Sequence, residues 1–411
     1  MPLTFEERLD RYAALLVHIG VNLQPGQRLL LSTDLACAPL ARRIAKHAYA
    51  LGAPLVNTIW NDAETTRMRY LHAEPGTLSE FPEWRARLWH ETAERGDAFL
   101  HVTSEDPTLL ADIDPELVDR ERRARQFHLQ PFSERMRKNA FAWCRAAAPS
   151  PAWAARVFPD LPEQAAVARL WEDIFRANRV DEPDPVSAWR DHLASLQRRA
   201  DELNARRYRA VHLRGPGTDL EVGLADTHRW VGGASPTPSG VLFAGNIPTE
   251  ELFTAPHRER VSGTVRSTKP LSLWGTLVED IELRFEAGRI VSARASRGQE
   301  ALQRTLDTDA GARFLGEVAL VPSTSPVAAT GTLFFDSLYD ENVACHLAFG
   351  YAFRENFERG NDLTDEEVAA LGGNDSLTHV DFMVGGAEVD VDGLREDGTR
   401  EPLLRNGDWA F

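Results

Sequence analysis

The triplet His379-Val380-Asp381 sets an imidazole and a carboxylate two positions apart. In a strand, alternate residues share a face, so these two side chains would project together while Val380 and Phe382 enter the other face. That is a compact pair of metal ligands, although an ordinary surface hydrogen-bonded pair fits the same triplet. Further ligand-type residues stand in apolar surroundings in the same half of the chain. Glu317 sits inside the run Phe314 to Val321, where a buried carboxylate needs a cation or a strong donor to stay charged. His346 lies in the small-residue segment Asn342 to Gly350, and Glu250-Glu251 follows Asn246-Ile247-Pro248-Thr249 at a strand end. Singly, each has a structural explanation: a solvated turn for the glutamates, an arginine partner for Glu317, a satisfied core histidine for His346. Together they offer oxygen and nitrogen donors without a thiolate, a set suited to a pair of adjacent divalent ions of the Zn, Co or Mn type. Thiol catalysis by Cys345 with His346 is disfavoured, because sequence neighbours face opposite ways in a strand and lie about 100° apart in a helix.

Composition narrows the classes. The chain has 411 residues, 43% of them hydrophobic, which is enough for two cores of ordinary size and too much for disorder. Its 46 basic and 62 acidic residues give a formal charge of -16, which opposes phosphate-backbone binding, so nucleic acid is not an expected partner. No stretch approaches the roughly 20 apolar residues of a membrane helix, and the start MPLTFEERLDRY lacks the basic-then-apolar design of a signal peptide. A cytoplasmic protein with no membrane partner is expected. Cys37, Cys144 and Cys345 are too far apart for a CxxC knuckle or a disulfide framework, so any metal must rest on histidine and carboxylates. Lys46, Lys138 and Lys269 are the only lysines and none stands in a P-loop frame, which excludes that nucleotide chemistry.

The elements that must carry these residues divide the chain in two. Leu9, Tyr12, Leu16 and Ile19 share a helical face; a turn at Gln24 to Gln27 precedes the buried strand Arg28 to Ser32. A helix around Ala36 to Leu51, a strand from Pro54 to Trp60 and a short strand near Ala98 to Val102 complete an α/β pattern with parallel strands. Residues 106 to 205 read as mostly helical, ending with the helix Asp184 to Asn204, which places the domain boundary near 205. The expected domains are thus 1–205, α/β with a helical region, and 206–411. The second is expected to be α+β, with short strands such as Ala210 to Leu213, Leu220 to Val222, Trp230-Val231, Gly240 to Ala244 and Leu271 to Trp274. A hairpin joins Ile281 to Phe285 and Ile290 to Ala295, and one helix runs roughly from Gly298 to Phe314. The expected architecture of this half is a curved or barrel-like sheet carrying the metal site.

Many ordered segments resemble the M29 family of metallo-aminopeptidases: Gly20 to Gly26, Trp60 to Asp62, Ser104 to Pro107, Trp153 to Pro159, Leu213 to Leu220, Asn246 to His257, Leu315 to Val321, Asp340 to Gly350, His379 to Met383, and Asp390 to Phe411. The resemblance implies a two-domain homodimer that removes amino-terminal residues from peptides through a dinuclear site in the C-terminal domain. Carried over, the bridging carboxylate is Glu317, the histidine ligands are His346 and His379, and the aspartate ligand is Asp381. The first glutamate ligand falls at Glu250 or Glu251, with Glu251 preferred and Glu250 then a candidate general base. Such a site generates a shared hydroxide at neutral pH, and the substrate amine could anchor on a metal or a nearby carboxylate. Histidine ligands must be neutral, so activity is expected to fall as pH drops through the imidazole range.

The family tyrosine seven residues after the first histidine ligand is Phe353 here. In a helix, positions 346 and 353 would share a face and Tyr351 would point elsewhere. Loss of a phenol that donates to an oxyanion costs roughly 10²–10³ in rate. The expected consequence is a slow peptidase, a changed substrate range, or a metal-binding homologue that acts as a binding protein, unless Tyr351 or Tyr339 reaches the site instead.

Overall fold

The computed structural model describes residues 3–104, 106, 109–110, 112–273 and 276–411. Glu105 and Pro107, named above, and Trp274 at the end of the expected run from Leu271 lie outside the described residues.

The chain forms two compact units, Met1–Asp191 with Ala234–Ile247, and His192–Gly233 with Pro248–Phe411. The first opens with the helix Phe5–Leu15, started by a capping box in which Thr4 and Glu7 satisfy each other's exposed backbone donors. Leu9 and Tyr12 in this helix, and Leu16 and Ile19 in the π-helical segment Leu16–Gly20 that continues it, are buried as their spacing requires. The strands Val56–Asn61, Leu29–Asp34, Ala98–Thr103 and Trp143–Ala147 lie side by side in that order, all parallel. The fourth strand falls in the segment expected to be helical. The alternation Cys144 and Ala146 buried, Trp143 and Arg145 less so, carries a strand period that the surrounding arginine-rich helices obscure.

The division between units falls inside the helix Pro185–Arg206, not at 205. Trp189, near its start, is fully buried and its indole donates to the Asn178 carbonyl at 2.8 Å. Leu196, Ala200 and Leu203, farther along, belong to the C-terminal core. The chain also returns once: Gly245 accepts from the Arg145 amide at 2.8 Å, and Phe243 packs at 5.9 Å on Trp143, so this short excursion belongs with the first unit.

The second unit holds an eight-stranded antiparallel sheet and a four-stranded one. In the larger, Arg289–Arg294 and Asp408–Trp409 are the two edges, so the sheet is open. None of the described sheets closes, and the barrel-like expectation is corrected to open sheets stacked on a common core. The hairpin forms as Glu282–Glu286 with Arg289–Arg294, whereas the expected long helix is only Gln299–Leu306, followed by a single 3-10 turn at Gly311–Arg313. Trp230-Val231 is no strand; Val231 makes one isolated bridge to Phe253.

The smaller sheet orders His379–Met383, His346–Gly350, Leu315–Leu320 and Leu252–Thr254, antiparallel throughout. One face supplies Leu252, Val318, Leu320, Leu347, Phe349 and Phe382 to the same apolar cluster as Leu220, Val222, Val261, Leu283 and Phe285 of the larger sheet. Each such side chain contributes on the order of 1.5–3 kcal/mol on burial, which anchors the sheet and commits its opposite face to other work.

Candidate metal centre

Pleat and register place the chemistry on that opposite face. Ala348 stands between Glu317 on one neighbouring strand and Asp381 on the other; His346 stands between Ala319 and Met383, and Gly350 opposite His379. The positions between the titratable residues are therefore alanine and glycine, buried themselves and too small to separate the ligand side chains. Two glycines are required by close approach. Gly350 has φ +117°, and a Cβ there would lie 2.0 Å from the Thr378 carbonyl oxygen. Gly316, at the register shift beside Glu317, would put one 2.2 Å from the Tyr351 carbonyl oxygen.

Glu317 is the centre of the constellation. One of its oxygens lies 3.3 Å from His346 Nε2 and the other 3.3 Å from His379 Nε2. His346 Nε2 is also 3.1 Å from Glu251 Oε2, and His379 Nε2 is 3.4 Å from Asp381 Oδ1. Two groups result, Glu251–Glu317–His346 and Glu317–His379–Asp381, each with ligand atoms within 4.8 Å of one another and with Glu317 common to both. Glu251, Glu317 and His346 are buried; His379 and Asp381 are partly exposed. The imidazoles are oriented from behind: His379 Nδ1 donates to the Tyr351 carbonyl at 2.7 Å and His346 Nδ1 faces the Ala344 carbonyl at 3.3 Å. With Nδ1 so engaged, Nε2 is the atom free to bind an ion.

Burial opposes every charge in this cluster, yet opposite charges outweigh it. Burial alone would raise Glu317, but hydrogen bonds from both histidines hold its carboxyl down at about 2. The imidazoles are pushed well above their ordinary range despite burial, His346 by Glu251 and Glu317, His379 by Asp381 and Glu317. Glu251 goes the other way: burial raises it, with His346 only partly compensating. Its Oε2 is buried and makes no hydrogen bond, although it lies close to His346 Nε2. Carboxylates and imidazoles without a thiolate fit a divalent ion of the Zn, Co or Mn type.

The remaining sequence candidates are dispersed around this centre. Glu250 is buried but belongs to neither ligand group; its backbone amide donates to Asn342 Oδ1 at 2.6 Å and its carboxylate lies 3.5 Å from His192 Nε2. The segment after His346 is a strand that ends at Gly350, so the helical relation between positions 346 and 353 does not exist. Tyr351 and Phe353 both pack on His379, with ring centroids 4.7 and 4.8 Å away. Tyr339 is fully buried and stacked on Phe334 at 4.6 Å. Cys345 faces the core, where burial pushes its thiol up to about 11 and its sulfur meets the Val321 backbone, which removes it as a nucleophile.

Three residues escaped the sequence reading. Glu341 is raised well above its ordinary value by burial and by the carboxylates of Glu251 and Asp381, which puts it within electrostatic reach of both groups. Its position in Asp340 to Gly350, five residues before His346, was the available signal. Asn342, fully buried, ties the Glu250 amide to the Leu338 carbonyl. His192 sits at the start of the second unit, and its Nε2 meets the Thr249 carbonyl at 2.8 Å; nothing local in the sequence marks it.

Two candidate ligand groups on one face of an open antiparallel sheet, backed by the core of its own unit, are what a metalloprotein would present. The profile of the family described as "Thermophilic metalloprotease (M29)" matches residues 5–409, and the chain belongs to that family. It is 46% identical to Aminopeptidase 2 of Geobacillus stearothermophilus over 99% of this chain and 98% of that protein. It is 47% identical to Aminopeptidase T of Thermus thermophilus over 99% of both. The solved structure of wild-type AmpT from Thermus thermophilus superposes with TM-score 0.94 at 46% identity, covering 99% of this chain and 100% of that one. A 2,5-dihydroxypyridine dioxygenase from Pseudomonas putida, 13% identical with TM-score 0.52 over 100% of this chain and 98% of its own, shares the fold alone. Among the described residues no helix is long and apolar enough to cross a membrane.

Proposed function

We infer that this chain is a metallo-aminopeptidase, a hydrolase that removes amino-terminal residues from peptides, with a pair of divalent ions held by Glu251, Glu317, His346, His379 and Asp381. The observation that carries the dinuclear reading is Glu317, whose two oxygens face two histidines in two separate ligand groups. The relatives' names support the activity, and no comparison favours the non-catalytic binding homologue. Bound cations would supply Lewis acidity to polarise the scissile carbonyl and to lower the pKa of water.

The chain's own groups take the other parts. Glu317, common to both ligand groups, would be the shared ligand, and Glu341, whose carboxyl is favoured in its protonated form by burial and the neighbouring carboxylates when no cation is bound, would stand beside both groups. Glu251, beside His346 in one ligand group, is the glutamate ligand, which leaves Glu250, paired with His192, as the candidate to accept a proton from water. Tyr351, against the His379 ring, is the candidate phenol donor in place of the residue that Phe353 replaces. The resemblance also carries a cytoplasmic homodimer, which light scattering on the purified protein tests for its oligomeric part. Cleavage of a panel of aminoacyl reporter substrates with added Zn, Co or Mn tests the activity: turnover that requires the ion and a free α-amine is expected, and none with any ion would overturn the reading.

A further inference from the structure

The functional face has an apolar flank. Phe253 lies two residues beyond Glu251, and its strand pairs it with Ala319, which is opposite His346 on the other side. Alternation therefore puts the Phe253 ring on the face of the candidate ligands, while the intervening Leu252 goes to the core. Its ring meets Phe353 edge-on at 5.9 Å, and Phe353 lies 4.8 Å from the His379 ring. Both phenylalanines stay partly exposed beside a cluster of carboxylates and imidazoles. Small buried residues, Ala319, Ala348 and Gly350, occupy the neighbouring positions of the same sheet face.

We propose that Phe253 and Phe353 form the subsite for the side chain of the peptide's terminal residue and select large apolar residues such as leucine and phenylalanine. The proposal rests on the aminopeptidase reading. Ligand sites combine aromatic walls with a few convergent polar groups, and here the polar groups are the ions' ligands. A leucine side chain laid against both rings leaves water on the same face where the backbone must meet the ions. An aspartate or glutamate side chain would instead meet two phenyl rings and the surrounding carboxylates, losing hydration without gaining a partner.

The test uses the metal-loaded protein with leucyl, phenylalanyl, alanyl and glutamyl p-nitroanilides. The wild type is expected to favour leucyl over alanyl by about tenfold or more in kcat/KM, the range that a few methylenes supply in an apolar pocket. Phe253→Ala and Phe353→Ala should each lower that ratio by about tenfold, and Phe253→Trp, which keeps an aromatic ring in the strand but narrows the space, should shift preference toward alanyl. Calorimetry with free L-leucine and L-alanine gives a readout apart from turnover: leucine should bind more tightly, with the difference lost in Phe253→Ala. A wild-type ratio near one, or variants that slow every reporter equally and leave the ratio intact, would overturn the subsite. Absence of turnover with every reporter would strike the aminopeptidase reading instead, and the amino-acid calorimetry would then decide the subsite alone.

Discussion

Replacing Glu317 by glutamine keeps the side chain's shape and removes the charge that both histidines face. In the cation-free chain its carboxyl is held at about 2 against an ordinary 4.5, a displacement on the order of 3 kcal/mol at 1.36 kcal/mol per pH unit. Because the folded value is depressed, that stability is present above about pH 4.5 and is lost as pH falls toward 2. The substitution should therefore lower the unfolding free energy of the chelated protein near neutral pH by a few kcal/mol and flatten its acid limb. The metal content gives the sharper readout. Glu317 belongs to both ligand groups, Asp381 and Glu251 to one each. Elemental analysis after dialysis should find Glu317→Gln without either ion, while Asp381→Asn and Glu251→Gln each keep one. Equal losses in all three variants, or a full complement in Glu317→Gln, would refute the shared-ligand argument.

The raised imidazoles set a pH dependence. His346 and His379 hold protons well above the ordinary histidine range when no cation is bound, so metal binding at pH 7 should release up to about two protons per chain and weaken as pH falls. Calorimetry in buffers of different ionisation enthalpy counts them, and the apparent metal affinity of the cation-free chain should weaken progressively below that raised range. With a raised folded pKa the sign for stability reverses: the chelated protein should lose stability as pH rises through these values, and the metal-loaded protein should not. Gly350→Ala, which forces a Cβ against the Thr378 carbonyl at positive φ, should destabilise by roughly 1–3 kcal/mol in urea unfolding and reduce metal content through His379. Tyr351→Phe should lower kcat by roughly 10²-fold if the phenol donates to the oxyanion, and Phe353→Tyr should raise it if the missing hydroxyl matters; metal content should hold in both.

How much of this was legible in the sequence depends on which interactions set each feature. His379 and Asp381 are an i, i+2 pair, so the strand period alone brings them to one face, and both the pair and its orientation are realised. Glu317 and His346 stood out because each is a polar residue in an apolar run, a pattern that an antiparallel sheet with one buried face produces. What the sequence could not supply was the register. Nothing local says that Ala348 stands between Glu317 and Asp381, or that Glu251 and not Glu250 turns toward His346; those facts come from pairing across tens of residues. The choice between a curved and a barrel-like sheet was open for the same reason, since short strands with Gly and Pro between them fit a barrel and an open stack equally. The strand Trp143–Ala147 was hidden by its helical flanks, and the strand His346–Gly350 gave no reason to expect the chain to turn at Gly350 and bring both Tyr351 and Phe353 onto one imidazole.

Placing carboxylates and imidazoles on a sheet also answers how so much charge can be kept near a core. A loop could gather the same residues only by ordering its whole backbone, and a helix would present them on a curved surface with a period that brings few of them together. The sheet is already paid for by the apolar face behind it, and each strand then contributes a ligand at a spacing fixed by hydrogen bonds. Imidazoles offset the burial of Glu317 fully and of Glu251 in part, and a cation that displaces their protons meets a set already oriented by carbonyls of Ala344 and Tyr351. The same rigidity explains why Gly316 and Gly350 matter more than their size suggests. They allow the chain beyond His346 to pass close over the Glu317 strand, and that passage delivers the Tyr351 carbonyl to His379 and the Phe353 ring to the edge of the site.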